Sequence, residues 1–166
     1  MDVLAFTEEA FGVFIPVDYR QLTIGGTTLA ALVGADTSAP LTADSPVDHQ
    51  LRYLRGLRDG SNADGLRAGR IAIGYCRNCH DASCGEMVAA SVAFTETTVT
   101  WTDIGFEVEH VGTLEKRFGG WLGNIGARAV APPEWWTPRP IAGLAFEFDR
   151  AEYLAAIEKE IAHVGS

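Results

Sequence analysis

The middle of the chain alternates apolar and polar residues in the way that consecutive β-strands do. Ile71–Tyr75 is a short apolar run, and Met87–Phe94 has apolar residues at all four even positions. Val99–Trp101 follows after four polar residues, so the three segments are close enough to pair with one another as a β-meander. Beyond this third segment the apolar positions change from odd to even numbers, which predicts a bulge or bend near Gly105.

Two earlier segments carry the signals of helix ends. A short helix is expected before Gly34, because Thr27 or Thr28 can cap its start and the glycine can close its end. Ser45 followed by Pro46 predicts a second helix, with the serine as its capping residue and its end near residue 58. The residues expected on the buried face of this second helix are Val47, Leu51 and Leu54.

The last element predicted is a C-terminal helix that begins after Asp149. Asp149 and Glu152 have the spacing of a capping box. The residues expected on its buried face are Tyr153, Leu154, Ile157 and Ile161. Further strands are predicted at Val3–Phe6, at Phe11–Ile15 and at Ile141–Phe148. Strands mixed with about three helices predict an α+β fold with a mainly antiparallel sheet.

The composition limits the size of the fold and the classes of partner. The chain has 166 residues, of which 47% are hydrophobic, so residues 1–166 are predicted to form a single domain. The formal net charge of −9 is spread along the chain, which argues against nucleic acid and anionic membrane surfaces as partners. The N-terminal residues lack the features of a secretory signal, and no apolar run is long enough to span a membrane. These features predict a cytoplasmic protein.

The most distinctive chemical feature is a segment with three cysteines between two predicted strands. The cysteines have the spacing C-x2-C-x4-C, and a histidine follows the second of them. Thiolates presented by a tight turn between strands are typical of structural zinc sites. The predicted zinc ligands are Cys76, Cys79, Cys84 and His80.

Other interpretations of the cysteine turn stay open. The thiols are also consistent with small apolar groups packed at a buried turn. Because neighbours such as Cys79 and His80 rarely reach one ion together, the fourth ligand could instead be His49, His110 or a distant carboxylate. Cys76–His80 also matches the C-x-x-C-H signature of c-type haem attachment, but such haem proteins are exported. Redox C-x-x-C pairs begin a helix, whereas these cysteines lead into a strand.

A second polar group lies near the end of the predicted meander. Asp103, Glu107 and Glu109 share strand parity, so they are expected on one face of the sheet, and His110 follows them. A solvated strand face is the expected interpretation. Paired carboxylates that bind metal or perform acid–base chemistry are the alternative.

Two other segments are candidates for contact with a ligand or partner. Arg52, Arg55 and Arg58 form a basic stripe at helical spacing, interpreted as the solvated side of the second helix, with an anion site as the alternative. Trp135 and Trp136 lie in a proline-rich segment, where rigid aromatic side chains at a surface would serve as partner-binding anchors. The alternative is that one or both tryptophans cover the core.

The chain resembles a group of uncharacterised small bacterial proteins. The shared features are the cysteine turn followed by Gly85, a T-V-x-W strand at Thr98–Trp101 and an F-D-R-x-x-Y helix start at Phe148–Tyr153. The likeness is greatest over residues 70–106 and 146–160. The group has no known activity, so the resemblance implies a fold and an order of elements but no catalytic residue. A glycine is usual at the position of His80, so the resemblance does not support this histidine as a shared ligand.

Two functions remain compatible with these observations. The first is a non-catalytic module that binds a protein partner through its acidic surface and the tryptophan segment, with zinc stabilising the cysteine turn. The second is an enzyme that uses a cysteine as thiolate or metal ligand, with His80 or His110 carrying a proton. We expect the first, because no acid–base pair or cofactor loop can be placed in the sequence.

Overall fold

The computed structural model describes residues 1–11, 17–42, 45–61, 64–109 and 136–166. The strands are β1 (Leu4–Phe11), β2 (Val17–Ile24), β3 (Thr27–Thr28), β4 (Thr37–Ser38), β5 (Leu41–Thr42), β6 (Arg70–Cys76), β7 (Glu86–Phe94), β8 (Thr98–Glu109), β9 (Trp136–Pro140) and β10 (Phe146–Asp149). The helices are α1 (Leu29–Val33), α2 (Val47–Asp59) and α3 (Arg150–Val164), with a 3-10 turn at Ala82–Cys84. Within the described residues, antiparallel sheets with three helices confirm the predicted α+β class.

The larger sheet has six strands and contains the predicted meander. Its order is β10-β8-β7-β6-β4, and β9 joins the same edge of β8 as β10 does. The consecutive strands β6, β7 and β8 are antiparallel neighbours, which confirms the β-meander. β10 pairs with the first half of β8 and β9 with its second half, so these two segments together cover one edge of the meander.

The predicted bulge lies in β8. Its register with β7 shifts between Ala89 and Ser91, and Asp103, in the opposite segment of β8, has a φ of +48°. An extra residue at this point changes which side chains face the core. As a result Trp101 and Ile104, which differ in parity, are both completely buried. The change from odd to even apolar positions in the sequence therefore corresponds to a β-bulge at Asp103, two residues before Gly105.

Helix α2 buries a different face from the predicted one. Its N-cap position is Pro46, without a side-chain hydrogen bond, so the predicted capping by Ser45 is wrong. Val47 is 52% exposed and Leu51 is half-buried, whereas Leu54 is fully buried as expected. The hydroxyl of Tyr53 donates to a carbonyl oxygen of β6, which turns this side of the helix toward the sheet. The buried residues of α2 are Gln50, Tyr53, Leu54, Gly56 and Leu57.

Helix α3 begins as predicted and packs on the aromatic centre of the core. The Asp149 carboxylate accepts hydrogen bonds from two N–H groups of the first turn, at 2.9 and 3.0 Å. Tyr153 packs edge-on against Trp101, and its hydroxyl donates to the carbonyl oxygen of Leu57 at 2.7 Å. Burial raises the pKa of Tyr153, so the hydroxyl remains a donor. This bond joins the two longer helices.

The N-terminal segments form a smaller sheet with boundaries that differ from those predicted. β1 runs on to Phe11, where a separate strand was expected to begin, and the rest of that predicted strand lies outside the described residues. β2 lies antiparallel to β1. The short helix α1 is confirmed, with Thr28 as its N-cap and Gly34 in a left-handed conformation at its end. The predicted last strand is shorter, because a turn precedes Phe146.

Candidate functional site

The cysteine turn connects β6 to β7 and is closed by backbone hydrogen bonds. The N–H groups of Cys79 and His80 both donate to the carbonyl oxygen of Cys76, at 3.2 and 2.9 Å. His80 has a φ of +54°, a left-handed conformation that is costly for residues other than glycine. The Asp81 carboxylate then accepts from the Ser83 N–H at 2.7 Å and starts the 3-10 turn. A tight bend between paired strands is therefore present where the cysteine spacing predicted it.

The structure describes the side chains of two of the three cysteines in this turn. Cys76 and Cys79 are half-buried and form no disulfide within the described residues, and the side chain of Cys84 lies outside the described part. Among the described residues, no three side chains of His, Cys, Asp or Glu are arranged to hold a metal ion. Cys76, Cys79 and His80 thus do not form a metal site by themselves, and zinc at this turn would require Cys84 or another residue beyond that part. Zinc remains a prediction.

His49 of α2 connects the helix to the cysteine turn. Its Nδ1 lies 2.9 Å from an Nη of Arg52, and its Nε2 lies 2.6 Å from the carbonyl oxygen of His80. Because a guanidinium can only donate, Nδ1 must accept, and the hydrogen of the neutral ring is on Nε2, where it is donated to His80. The ring also packs against Tyr75 with a centroid distance of 5.7 Å. Both nitrogens of His49 therefore serve the structure.

Ser38 and His80 have the residue types of a nucleophile and its base. The Oγ of Ser38 lies 3.3 Å from Nδ1 of His80. Ser38 is completely buried in β4, so its hydroxyl is closed to a substrate. A nucleophile must reach the reacting atom. This contact consequently orients the His80 ring rather than activating the serine.

A buried tyrosine lies beside this cluster. The Tyr75 hydroxyl donates to the Asp64 carboxylate at 2.5 Å. Burial raises the pKa of Tyr75 well above its usual value, and the adjacent Asp64 charge raises it further. The phenol is therefore a hydrogen-bond donor and not a base. It anchors the segment after α2 to β6.

Trp136, predicted as a partner-binding anchor, lies in the core. It is 3% exposed, and its indole N–H donates to the carbonyl oxygen of Asp64 at 3.1 Å. Trp136 pairs with Glu109 of β8 as the first residue of β9, which places its ring over the core. The surface position expected for Trp136 is wrong, in agreement with the alternative that a tryptophan of this segment covers the core. Trp135 lies outside the described residues.

The acidic group of β8 is mostly buried, contrary to the expected solvated face. Glu107 is 2% exposed and accepts a hydrogen bond from Nε of Arg70 at 2.5 Å. Glu109 is 7% exposed and packs on Gly85, where a Cβ would be 2.9 Å from its Oε2. Asp103 alone of the three acids is exposed, because the bulge separates it from the others.

The alternative role of these acids, acid–base chemistry, gains no support. An Arg70–Glu107 pair inside the sheet is a structural element, since both side chains are nearly inaccessible. His110 lies outside the described residues. The sequence carried no signal for this burial, because Glu107 and its partner are 37 residues apart.

A cleft beside the turn is lined by Cys76. It has a volume of about 300 Å³ and lies near β4, at the ends of β6 and β7. Val88 pairs with Phe106, and Cys76 is two residues from the partner of Val88 on β6, so these three side chains share one face of the sheet. Two exposed acids, Asp36 and Glu86, also line the cleft. The cleft thus combines apolar walls, one thiol and an acidic rim.

None of the helices in the described ranges is long and apolar enough to cross a membrane. Comparison of the chain with protein-family models, with curated proteins and with solved structures finds no match.

Proposed function

We propose that the protein is a non-catalytic module that binds a partner protein at the cleft beside Cys76. The observation that carries this proposal is the composition of the cleft, in which Val88 and Phe106 supply apolar walls and Glu86 supplies negative charge. The second acid of the lining, Asp36, is paired with Arg77 at 2.9 Å, so Glu86 is the acid that the test changes. Such a surface fits a large apolar side chain flanked by Lys or Arg. The net charge of −9 favours the approach of a basic segment.

The state of the nearby polar side chains supports a binding role over catalysis. His49 uses both ring nitrogens in structural hydrogen bonds, and Ser38 is buried. Tyr75 is held protonated by burial. The side chains of His49, Ser38 and Tyr75 thus hold α2, β4 and β6 together.

A peptide display experiment tests the docking surface. We expect the protein to enrich random peptides in which a large apolar residue lies beside Lys or Arg. Glu86→Lys should abolish the enrichment, because it reverses a charge at the rim. Glu96→Lys is the matched control, since Glu96 is exposed beyond the opposite end of β7. Enrichment of peptides without basic residues, or equal enrichment by both variants, would contradict the proposal.

Zinc at the cysteine turn is the second part of the proposal. The left-handed conformation of His80 gives Cys76–His80 the tight bend that two thiolates need to face one ion, and Cys84 would be the third ligand. We expect one zinc per purified chain. Zinc at 100 times its Kd would stabilise the fold by about 2.7 kcal/mol. Chelation should then lower the melting midpoint by roughly 5–11 °C for a chain of this size.

Variants of neighbouring residues distinguish zinc binding from general damage to the turn. Cys84→Ser should lose the metal, whereas Ser83→Ala should keep it, because Ser83 is exposed and contributes its backbone N–H to the turn. Protein without metal whose three thiols react at ordinary rates would exclude the zinc site. A single thiol of unusually high reactivity at Cys76 would instead favour the alternative function, an enzyme with a cysteine nucleophile.

A further inference from the structure

The outer face of α2 borders a second, larger cavity. It has a volume of about 530 Å³ and is open to solvent. The cavity is distinct from the cleft beside Cys76, because no described residue lines both. Its lining residues are Pro46, Asp48, His49, Arg52, Arg55 and Ser61.

The arginine stripe of α2 is divided by its ion pairs. Arg58 lies 3.4 Å from Asp59 and 3.5 Å from Glu158, so its charge is compensated. Arg52 and Arg55, which line the cavity, form no ion pair with any residue in the described ranges. The chain has 22 acidic residues against 13 Lys and Arg, so two arginines without an acidic partner among the described residues are unusual in it.

Hydrogen bonds through His49 fix the position of the Arg52 guanidinium. It donates one hydrogen bond to Nδ1 of His49, whose Nε2–H is donated to the carbonyl oxygen of His80. A guanidinium has five N–H donors, so most of those on Arg52 remain for a ligand. Holding the side chain in advance lowers the entropy lost on binding. The chain of hydrogen bonds thus prepares Arg52 as an anion-binding group.

The segment after α2 folds back to complete the cavity. Gly56 allows this return, because a Cβ at that position would be 3.0 Å from the carbonyl oxygen of Ser61. Ser61 is exposed at the wall and is held there by its N–H, which donates to the Asp59 carboxylate at 2.9 Å, so this residue shapes the cavity. Among the described lining residues Asp48 is the single acid, so together with two arginines they carry a net positive charge when His49 is neutral.

We propose that this cavity binds an oxyanion of the phosphate class between Arg52 and Arg55. Planar guanidinium groups bind phosphate oxygens through paired N–H donors, which lysine cannot reproduce. The two arginines are three residues apart on one helix face, so both can contact the same group. The binding is independent of a partner protein at the cleft.

Titration of the full-length chain with pyrophosphate and with inorganic phosphate, at constant ionic strength, tests the proposal. We expect saturable binding by calorimetry, with chemical-shift changes confined to the cavity. Arg55→Ala should weaken the affinity about tenfold or more, the scale of a lost hydrogen bond to a charged group. Arg52→Lys should also weaken the affinity, because lysine keeps the positive charge but lacks the paired N–H donors of the guanidinium.

Arg67→Ala is the matched control, since Arg67 is an exposed arginine outside the cavity and its loss should leave the affinity unchanged. Glu86→Lys should also leave it unchanged, which separates this site from the cleft. The proposal is overturned by an absence of saturable binding. It is equally overturned by binding that falls as much in Arg67→Ala as in Arg55→Ala, since that would indicate attraction to net charge alone.

Discussion

Glu107→Leu is expected to lower the free energy of unfolding by about 3–5 kcal/mol, because it leaves the Arg70 guanidinium buried without its counter-ion. Glu107 and Arg70 have side chains that are 2% and 9% exposed, and their contact is 2.5 Å long. The remaining hydrogen bonds of Arg70, to Ser91 and to the Asp103 carbonyl oxygen, do not neutralise its charge. Urea unfolding followed by circular dichroism measures the change.

Two comparisons identify the cause of this loss. The double variant Arg70→Met with Glu107→Leu should recover most of the stability, because both charges are replaced by apolar groups of similar size. Glu158→Ala removes an exposed partner of Arg58 and should cost less than about 1 kcal/mol. If Glu107→Leu were as stable as the wild type, the buried ion pair would not be formed in solution.

Gly105→Ala is expected to separate β9 from β8 and to lower the free energy of unfolding by about 3 kcal/mol, the upper range for an overfilled core. A Cβ at this position would be 2.5 Å from Cα of Pro140 and still closer to the carbonyl oxygen of Arg139. These are backbone atoms, which cannot rotate away as a side chain can. The strand that carries Trp136 would therefore have to move.

The fluorescence of Trp136 reports this movement directly. Trp136 is 3% exposed, so its emission should shift to longer wavelength when β9 separates, and the shift should be absent in a Trp136→Phe background. Gly165→Ala is the control, because its nearest atom would be 3.4 Å away and its φ of −84° suits any residue. Unchanged emission together with unchanged stability in Gly105→Ala would mean that β9 does not pair with β8 as described.

Features set by near neighbours were predictable. The period of two in β6, β7 and β8 and the parity change at the bulge follow from residues that are adjacent in the chain. Helix caps were also predictable where the capping side chain accepts hydrogen bonds from its own helix, as those of Thr28 and Asp149 do. Ser45 is a residue type that often caps helices, but α2 begins after Pro46 without a side-chain cap. The residue type alone was therefore not enough to predict the cap.

Burial of charged side chains was not predictable, because their partners are distant in sequence. Glu160 of α3 is 2% exposed and paired with Arg20, which is 140 residues away. Glu107 was expected on a solvated strand face, and Trp136 was a candidate for either a surface anchor or a cover of the core; both lie inside. Burial of a charged carboxylate depends on a compensating partner that folding brings to it, and the pattern around the carboxylate in the sequence does not contain that information.

In the candidate sites, too, local features were predictable and contacts between distant segments were not. The cysteine spacing predicted the bend between β6 and β7, and the arginine spacing predicted one basic face on α2. The cleft required Asp36 and Phe106 to meet Cys76, and the cavity required Ser61 to return to α2 over Gly56.

By itself, then, the sequence determined the α+β class, the meander with its bulge, the caps of α1 and α3 and the place of the cysteine turn. The tertiary structure alone decided which acids and which tryptophan are buried, and which arginines border a cavity. The reason is physical: periodicity and capping depend on hydrogen bonds and side chains within a few residues, whereas ion pairing and cavity shape depend on segments that folding brings together.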